Sequence, residues 1–281
     1  RQVLTMDVQT LRAEAFKALH ERPGTFVIPN PWDAGSAKLL ASLGFEALAT
    51  TSAGLAFAKG LPDAEGAITR EQTLENALSI VDATALPVAA DLENGFSDEP
   101  SGCAETILEA ARIGLVGGSI EDATGRADEP IYSFHRAVER VEAAVAAARS
   151  LDFPFMLCAR AENLLHGRND LDDTIARLQA FAEAGADVLY APGLRTLEDI
   201  QRVVRAVAPK PVNVLMGLSG VSLTFDDLQA VGVKRISVGS SLARAAYGAF
   251  FEAAKGIRGD GRFDYADQAL SFDQLNQLFR R

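Results

Sequence analysis

The segment Ile113-Gly-Leu-Val-Gly-Gly-Ser-Ile-Glu-Asp122 contains the pattern that decides the fold. A helical stretch ends at Gly114, a short apolar strand follows at once, and two carboxylates come directly after the strand. Glycine suits the left-handed position at the C-terminus of a helix, and an uninterrupted apolar strand indicates burial on both faces of a parallel sheet. The segment therefore predicts one helix-to-strand unit of an α/β protein, with ionisable groups where the strand ends.

The same helix–glycine–strand pattern occurs three more times, at 43–50, 184–191 and 231–238. Four further strands are predicted, three of them introduced by a proline: Thr25–Pro29, Val88–Asp91, Phe155–Arg160 and Val212–Leu215. Helical segments are predicted between the strands at 34–43, 70–83, 104–113, 138–150 and 172–184. Such regular alternation predicts a closed (β/α)₈ barrel. A doubly wound open sheet is the alternative, but the first strand is not followed by a Gly-x-Gly-x-x-Gly turn.

The chain of 281 residues suits a single barrel domain, 1–281, with a helical extension at each end. The N-terminal extension, 1–25, contains a predicted helix at 10–19 that is placed to plug the N-terminal end of the barrel. The C-terminal extension, 258–281, follows an apolar helix at 242–257 and contains a predicted helix at 271–279. Helices left over beyond a barrel commonly cover another surface or another subunit, so we expect an oligomer.

Composition excludes several classes of protein. A formal net charge of −11 disfavours nucleic acids and anionic membrane surfaces as partners. The two cysteines, Cys103 and Cys158, form neither a disulfide framework nor a metal-ligand spacing. No signal peptide or membrane-spanning run is recognised, so a cytoplasmic location is expected.

Three carboxylates follow neighbouring predicted strands. Asp91 and Glu93 stand two positions apart at the end of one strand, and Glu121 ends the next. If strand order follows sequence order, their mutual repulsion calls for a cation, most simply Mg²⁺. The alternative is that each acid caps a helix. Arg160 ends an apolar strand and is shaped to bind a carboxylate or phosphate with two parallel hydrogen bonds, or else to pair with Glu162 or Glu121.

The other candidates are less specific. Small residues at 50–54 and 60–63 would let a ligand approach the backbone, although small residues also occur in loops for steric reasons. The glycine-containing segments 217–220 and 239–241 could bind a phosphate group, so a sugar-phosphate enzyme remains an alternative. His166 lies on the active side of the predicted barrel, whereas His20 and His135 are expected to be exposed or capping. No lysine ends a predicted strand, which argues against a Schiff-base aldolase.

Taken in order and spacing, seven motifs resemble the isocitrate lyase/phosphoenolpyruvate mutase superfamily from about Asn30 to Phe250. They are Asn30-Pro-Trp-Asp33, Thr51-Ser-Ala-Gly54, Gly60-Leu-Pro-Asp63, Asp91-Leu-Glu-Asn-Gly95, Ile120-Glu-Asp122, Ala159-Arg-Ala-Glu162 and Asn213-Val-Leu-Met-Gly217. The resemblance implies a (β/α)₈ barrel, usually a homotetramer with C-terminal helices exchanged between subunits, a dimer being the alternative. It also implies Mg²⁺ and a small 2-oxo acid that reacts through an enolate.

Site residues carry over from the same motifs. The resemblance makes Asp91 the direct metal ligand, with Asp63, Glu93 and Glu121 holding metal-bound waters. Arg160, Thr51, Ser52 and Glu121 are the expected catalytic residues. The expected substrate-binding residues are Thr51, Ser52, Gly54, Asp91, Arg160, Asn213 and Trp32.

The stretch 123–130 departs from the family. Isocitrate and methylisocitrate lyases of the family that this chain resembles carry an acid/base cysteine in this stretch, and the phosphonate enzymes carry an asparagine. Here the sequence reads Ala-Thr-Gly-Arg-Ala-Asp-Glu-Pro, which contains neither residue. We therefore expect a Mg²⁺-dependent lyase or decarboxylase that cleaves a carbon–carbon bond of a small 2-oxo or 2-hydroxy acid. The alternatives are phosphonopyruvate-type P–C chemistry and a 2-oxo-acid-binding protein without turnover.

Overall fold

The strands form the predicted barrel. The structure is a computed structural model that describes residues 7–280, and its eight parallel strands lie side by side in the order β1-β8-β7-β6-β5-β4-β3-β2. Their bounds are β1 Phe26–Val27, β2 Leu48–Ala49, β3 Val88–Asp91, β4 Gly117–Glu121, β5 Met156–Arg160, β6 Val188–Tyr190, β7 Val212–Leu215 and β8 Arg235–Ser237.

A main-chain hydrogen bond joins the two outermost strands, from Ala49 N–H to Pro29 C=O at 3.1 Å. The Asn30 side chain spans the same seam, since its amide donates to Thr50 C=O at 3.3 Å and its Oδ1 accepts from the Val238 and Gly239 N–H groups. These contacts close the sheet on itself, as a (β/α)₈ barrel requires.

Helices surround the strands. Their bounds are α1 Val8–Glu21, α2 Ala34–Ser42, α3 Ser52–Ala58, α4 Arg70–Ala83, α5 Pro100–Arg112, α6 Phe134–Arg149, α7 Leu171–Glu183, α8 Leu197–Val207, α9 Phe225–Ala230, α10 Ser241–Asp260 and α11 Phe272–Phe279. One hydrophobic core fills the layer between strands and outer helices, and a second fills the barrel interior. Within residues 7–280, no helix is long and apolar enough to cross a membrane.

The first helix covers the N-terminal end of the barrel, as predicted. Phe16 of α1 is fully buried in the interior core beside Phe26. His20 corrects the expectation of an exposed or capping histidine, because it is 5% exposed, with Nδ1 2.7 Å from Phe16 C=O and Nε2 3.2 Å from Arg235 Nη1. The segment after β2 is also corrected, since part of the predicted small-residue loop forms α3.

The C-terminal helices differ from the others in what they expose. Large apolar side chains of α10, α11 and the segment between them face outward, among them Phe250, Phe251, Phe263 and Phe272. Phe272 is 82% exposed. The helices between β1 and β8 bury their apolar side chains in the core. The C-terminal extension instead presents an apolar surface that nothing in a single chain covers.

Candidate active site

A cavity of about 980 Å³ opens at the C-terminal ends of the strands. Its wall includes five of the predicted site residues: Ser52, Asp63, Glu93, Glu121 and Arg160. Among residues 7–280, the lining comes only from the last residues of β4 and β5 and from the segments that follow β2, β3, β4 and β5. The cavity therefore lies to one side of the barrel axis, over half of the strands.

Arg160 lies at the centre of the acidic groups. Its Nη2 donates to Glu162 Oε1 at 2.9 Å and lies 3.8 Å from Glu121 Oε2, while its Nη1 lies 3.5 Å from Asp91 Oδ1. Burial acts to lower the pKa of Arg160, but Glu162, Glu121 and Asp91 outweigh burial and raise it. The guanidinium is therefore charged, and acids from three neighbouring strand ends lie around it.

Asp91 is also extensively bonded. Its Oδ2 accepts from the backbone N–H and the hydroxyl of Ser52 at 3.0 and 2.6 Å. Its Oδ1 accepts from the Glu93 N–H at 3.1 Å. Because a carboxylate oxygen has about two lone-pair positions, Oδ2 is fully used and Oδ1 retains one. Asp91 can therefore ligate a cation through Oδ1 only.

The pKa values of the remaining acids are raised by burial and by the negative charges of their neighbours. Burial, together with the charges of Asp91 and Asp63, raises the pKa of Glu93 to about 8. Burial and Asp91 likewise raise the pKa of Asp63. Burial and the neighbouring Glu162 raise the pKa of Glu121 well above its usual value. Arg160 does not compensate for these carboxylates, so a cation would be favoured among them.

Two buried polar atoms beside these acids lack a hydrogen-bond partner in the described part of the chain. They are Glu162 Oε2 and Arg160 Nε. In that part of the chain, no three His, Cys, Asp or Glu side chains form a cluster that would hold a metal by themselves. The predicted division, in which Asp91 ligates a metal directly and the other three acids hold its bound waters, stays a prediction.

Five predicted substrate-binding residues are not among those that line the cavity, and their contact with a ligand stays a prediction: Trp32, Thr51, Gly54, Asp91 and Asn213. The Thr51 hydroxyl instead caps α3 by accepting from the Gly54 N–H at 3.2 Å. A Cβ at Gly54 would lie 2.9 Å from the Trp32 Cβ, so this glycine permits close packing of α3. Asn213 is buried inside the barrel and bonds Ser237 and Arg235.

Ser52 lines the cavity but is engaged within the protein. Both its donors, the N–H and the hydroxyl, go to Asp91. That Ser52 also binds the ligand directly stays a prediction. In the structure, Ser52 fixes the orientation of Asp91, the predicted metal ligand.

The stretch 123–130 contributes Ala123, Thr124, Gly125 and Arg126 to the cavity wall. The Thr124 hydroxyl accepts from the Arg126 N–H at 2.9 Å and also bonds Glu129 C=O. Arg126 in turn pairs with Asp98 at 2.9 Å. The described loop thus provides no free acid or base to the cavity. His166 is half-buried and also lines the cavity.

Sequence reasoning missed the supports behind the site. Asp122 Oδ1 accepts from the Glu162 N–H at 2.7 Å, and Asp122 Oδ2 accepts from Arg177 Nη1 at 2.9 Å. The Arg160 guanidinium also lies over the ring of Tyr190, 4.9 Å from its centroid. Asp122 was recognisable as an acid after a strand. Its ion-pair partner Arg177 was not predictable, because it lies 55 residues away on α7.

The chain is similar to known proteins over most of its length. The family model described as phosphoenolpyruvate phosphomutase matches residues 16–258. A crystal structure from Burkholderia cenocepacia J2315, with the provisional description lyase/mutase, is 60% identical, covers 98% of each chain and has a TM-score of 0.95. The 2-methylisocitrate lyase of Escherichia coli K12 is 30% identical over 78% of this chain and 75% of that protein. A structure of oxaloacetate acetylhydrolase with its product oxalate is 26% identical over 95% of this chain and 91% of the other, with a TM-score of 0.84.

Proposed function

Because the chain belongs to the phosphoenolpyruvate phosphomutase family, within the isocitrate lyase/phosphoenolpyruvate mutase superfamily, we propose that it is a Mg²⁺-dependent lyase or decarboxylase. Its substrate is a small 2-oxo acid whose carbon–carbon bond breaks through an enolate. The observation that carries the proposal is the single guanidinium of Arg160 surrounded by carboxylates from three strand ends. That arrangement can bind a carboxylate and a divalent cation side by side.

Each residue has a defined part in this proposal. Arg160 binds the substrate carboxylate, for which a planar guanidinium is well suited. Asp91 would hold the metal through Oδ1, with Asp63, Glu93 and Glu121 around it. The bound cation would withdraw charge from the substrate oxygen as the enolate forms. Ser52 keeps the Asp91 carboxylate oriented through two hydrogen bonds.

The loop 123–130 bears on which bond is cleaved. Breaking a 2-hydroxy acid in the manner of an isocitrate lyase needs a base for the hydroxyl proton, and the loop presents only a pinned threonine and a paired arginine. Decarboxylation of an oxo acid needs no such base, because CO₂ leaves without removal of a hydroxyl proton. We therefore favour decarboxylation, for which oxaloacetate is the first substrate to test.

Calorimetry with oxalate and Mg²⁺ tests the binding half of the proposal. The parent should bind oxalate in the presence of Mg²⁺, and Asp91→Ala should lose this binding while keeping its unfolding transition. Arg160→Lys keeps the charge but loses the two parallel hydrogen bonds, so it should bind oxalate about 10- to 100-fold more weakly. Lys59→Ala, on the exposed end of α3, is the matched control. Unchanged affinity in Asp91→Ala would refute the metal assignment.

Turnover tests the chemical half. Pyruvate release from oxaloacetate should require Mg²⁺ and exceed the spontaneous, metal-catalysed rate. Isocitrate and 2-methylisocitrate should release no glyoxylate at an enzymatic rate. Rapid glyoxylate release would show that another residue supplies the missing base and would overturn the preference for decarboxylation.

Assembly is part of the same proposal. The outward apolar side chains of α10 and α11 suit a homotetramer in which these helices pack on a neighbouring subunit. Light scattering should give a mass near four chains, and Phe272→Asp should reduce it. A monomer at micromolar concentration would contradict this assembly. A cytoplasmic location stays a prediction.

A further inference from the structure

A row of inward-facing residues crosses five strands of the barrel at matching register. Glu121 pairs with Arg160, Arg160 with Tyr190, Tyr190 with Asn213, and Asn213 with Arg235. Strands of a closed barrel are tilted, so such a row descends from one end of the interior towards the other. It begins among the acids of the cavity and ends beside His20 of the plug helix α1.

The lower end of the row is a buried cation. Arg235 is 6% exposed, and no carboxylate of the described residues forms an ion pair with it. Burial lowers the pKa of Arg235. Burying a charge without a counter-ion costs stability, so we expect Arg235 to have a role other than filling space in the core.

Arg235 imposes a direction on the hydrogen bonds above it. A guanidinium can only donate, so the Asn213 atom 2.8 Å from Arg235 Nε is the acceptor Oδ1. Asn213 Nδ2 must then donate upward, which it does to Ser237 Oγ at 2.9 Å. The Ser237 oxygen that accepts this bond keeps its hydroxyl hydrogen for another acceptor, and burial raises the pKa of the neighbouring Tyr190 to about 12.

His20 fits the same direction from below. Phe16 C=O can only accept, so the imidazole carries its proton on Nδ1 and offers the Nε2 lone pair to Arg235 Nη1. Burial, with the charge of Arg235, lowers the pKa of His20 to about 3, which keeps the ring neutral. Every group from His20 to Ser237 is thereby held in one orientation.

The upper end of the row meets Arg160. Its guanidinium lies over the Tyr190 ring, while Nε has no hydrogen-bond partner in residues 7–280. Glu162 provides its one hydrogen bond of ordinary length, and the contacts to Asp91 and Glu121 are longer. One hydrogen bond does not define the plane of a guanidinium. A flat aromatic face beneath it does.

We propose that Tyr190 is a positioning residue that sets the plane of the Arg160 guanidinium, and that the oriented row of Asn213 and Arg235 on the next two strands supports its ring. The consequence for the reaction rests on the proposed function, in which Arg160 binds the substrate carboxylate. Two parallel hydrogen bonds to a carboxylate require a fixed plane, so the row prepares the arginine before the ligand arrives.

Two substitutions separate the ring from the hydroxyl. Tyr190→Leu removes the aromatic face, whereas Tyr190→Phe keeps it and removes only the hydroxyl. In ligand-free crystal structures, the Arg160 guanidinium should keep its plane in Tyr190→Phe and rotate or occupy several positions in Tyr190→Leu. Tyr190→Met serves the same purpose if the leucine variant does not fold. An unchanged Arg160 in the leucine or methionine variant overturns the proposal.

Binding gives the second readout. Loss of the cation–aromatic contact should weaken oxalate binding about 2- to 30-fold in Tyr190→Leu, and Tyr190→Phe should stay within about 3-fold of the parent. Mg²⁺ binding measured alone should be equal in all three, because the charge of Arg160 is retained. Equal losses in the phenylalanine and leucine variants would overturn the role of the ring. If the parent binds no oxalate, the proposed function fails, and the ligand-free structures still decide the positioning role.

Discussion

Arg177→Met tests how strongly the buried ion pair behind the site supports the fold. Arg177 Nη1 donates to Asp122 Oδ2 and to Tyr132 C=O, both at 2.9 Å, and its Nε donates to Asp173 at 2.9 Å. The side chains of Arg177 and Asp122 are 6% and 2% exposed. Methionine fills a similar volume but leaves the Asp122 carboxylate buried without a cation. Breaking a buried pair from one side costs about 3–5 kcal/mol, so we expect a loss of that size in the free energy of unfolding.

Urea unfolding followed by circular dichroism, at one fixed protein concentration, measures this loss. The matched control is Arg202→Met, because Arg202 pairs with Asp172 on the surface and is 53% exposed. An exposed pair is worth about 0–1 kcal/mol, so the control should change little. A loss below about 1 kcal/mol in Arg177→Met would refute the reasoning, since it would mean that Asp122 is effectively solvated. Asp122→Asn combined with Arg177→Met should cost less than the two single losses added together, because neither charge is then stranded.

Three further outcomes are expected. Because the pKa of His20 is lowered to about 3 in the folded protein, only the unfolded chain binds a proton at this residue between about pH 6.5 and 3, and stability falls as the pH falls through that window. The free energy of unfolding, measured in urea, should fall by up to about 1.4 kcal/mol per pH unit more in the parent than in His20→Gln. The same pH dependence in both proteins would contradict this. Gly54→Ala should destabilise by about 1–3 kcal/mol because its Cβ would lie 2.6 Å from Thr51 Cγ2, whereas Gly248→Ala, with open space around it, should not. His166→Gln should lower oxaloacetate turnover at least about 10-fold with oxalate affinity unchanged if His166 protonates the enolate, and equal turnover would assign that proton to water.

The barrel and the acidic strand ends were predictable because their signals are local. A helix that closes on glycine before an apolar strand reports its own geometry, and an acid at the strand end needs no knowledge of distant residues. The metal ligands remain a prediction, although the structure brings Asp63, Glu93 and Glu121 to one cavity and Asp91 beside it.

Partners that lie far away in sequence were not predictable. Ser52 looked like a ligand-binding residue, but its donors are taken by Asp91, 39 positions later. His20 looked exposed because its helix is amphipathic, and only the closed barrel places Arg235 against it. Tyr190 was not singled out, and only the paired strands place its ring under the Arg160 guanidinium. Each of these depends on strand register, which the sequence alone does not contain.

The off-axis cavity divides the molecule for protein engineering. The loops that follow β6, β7, β8 and β1 lie at the same end of the barrel as the cavity, yet none of their described residues lines it. Reporter insertions or randomised libraries can therefore be directed to these loops without altering the reacting groups. Conversely, substrate range should be evolvable by exchanging the segments after β2 to β5 alone, with the opposite half-barrel kept as an unchanged scaffold.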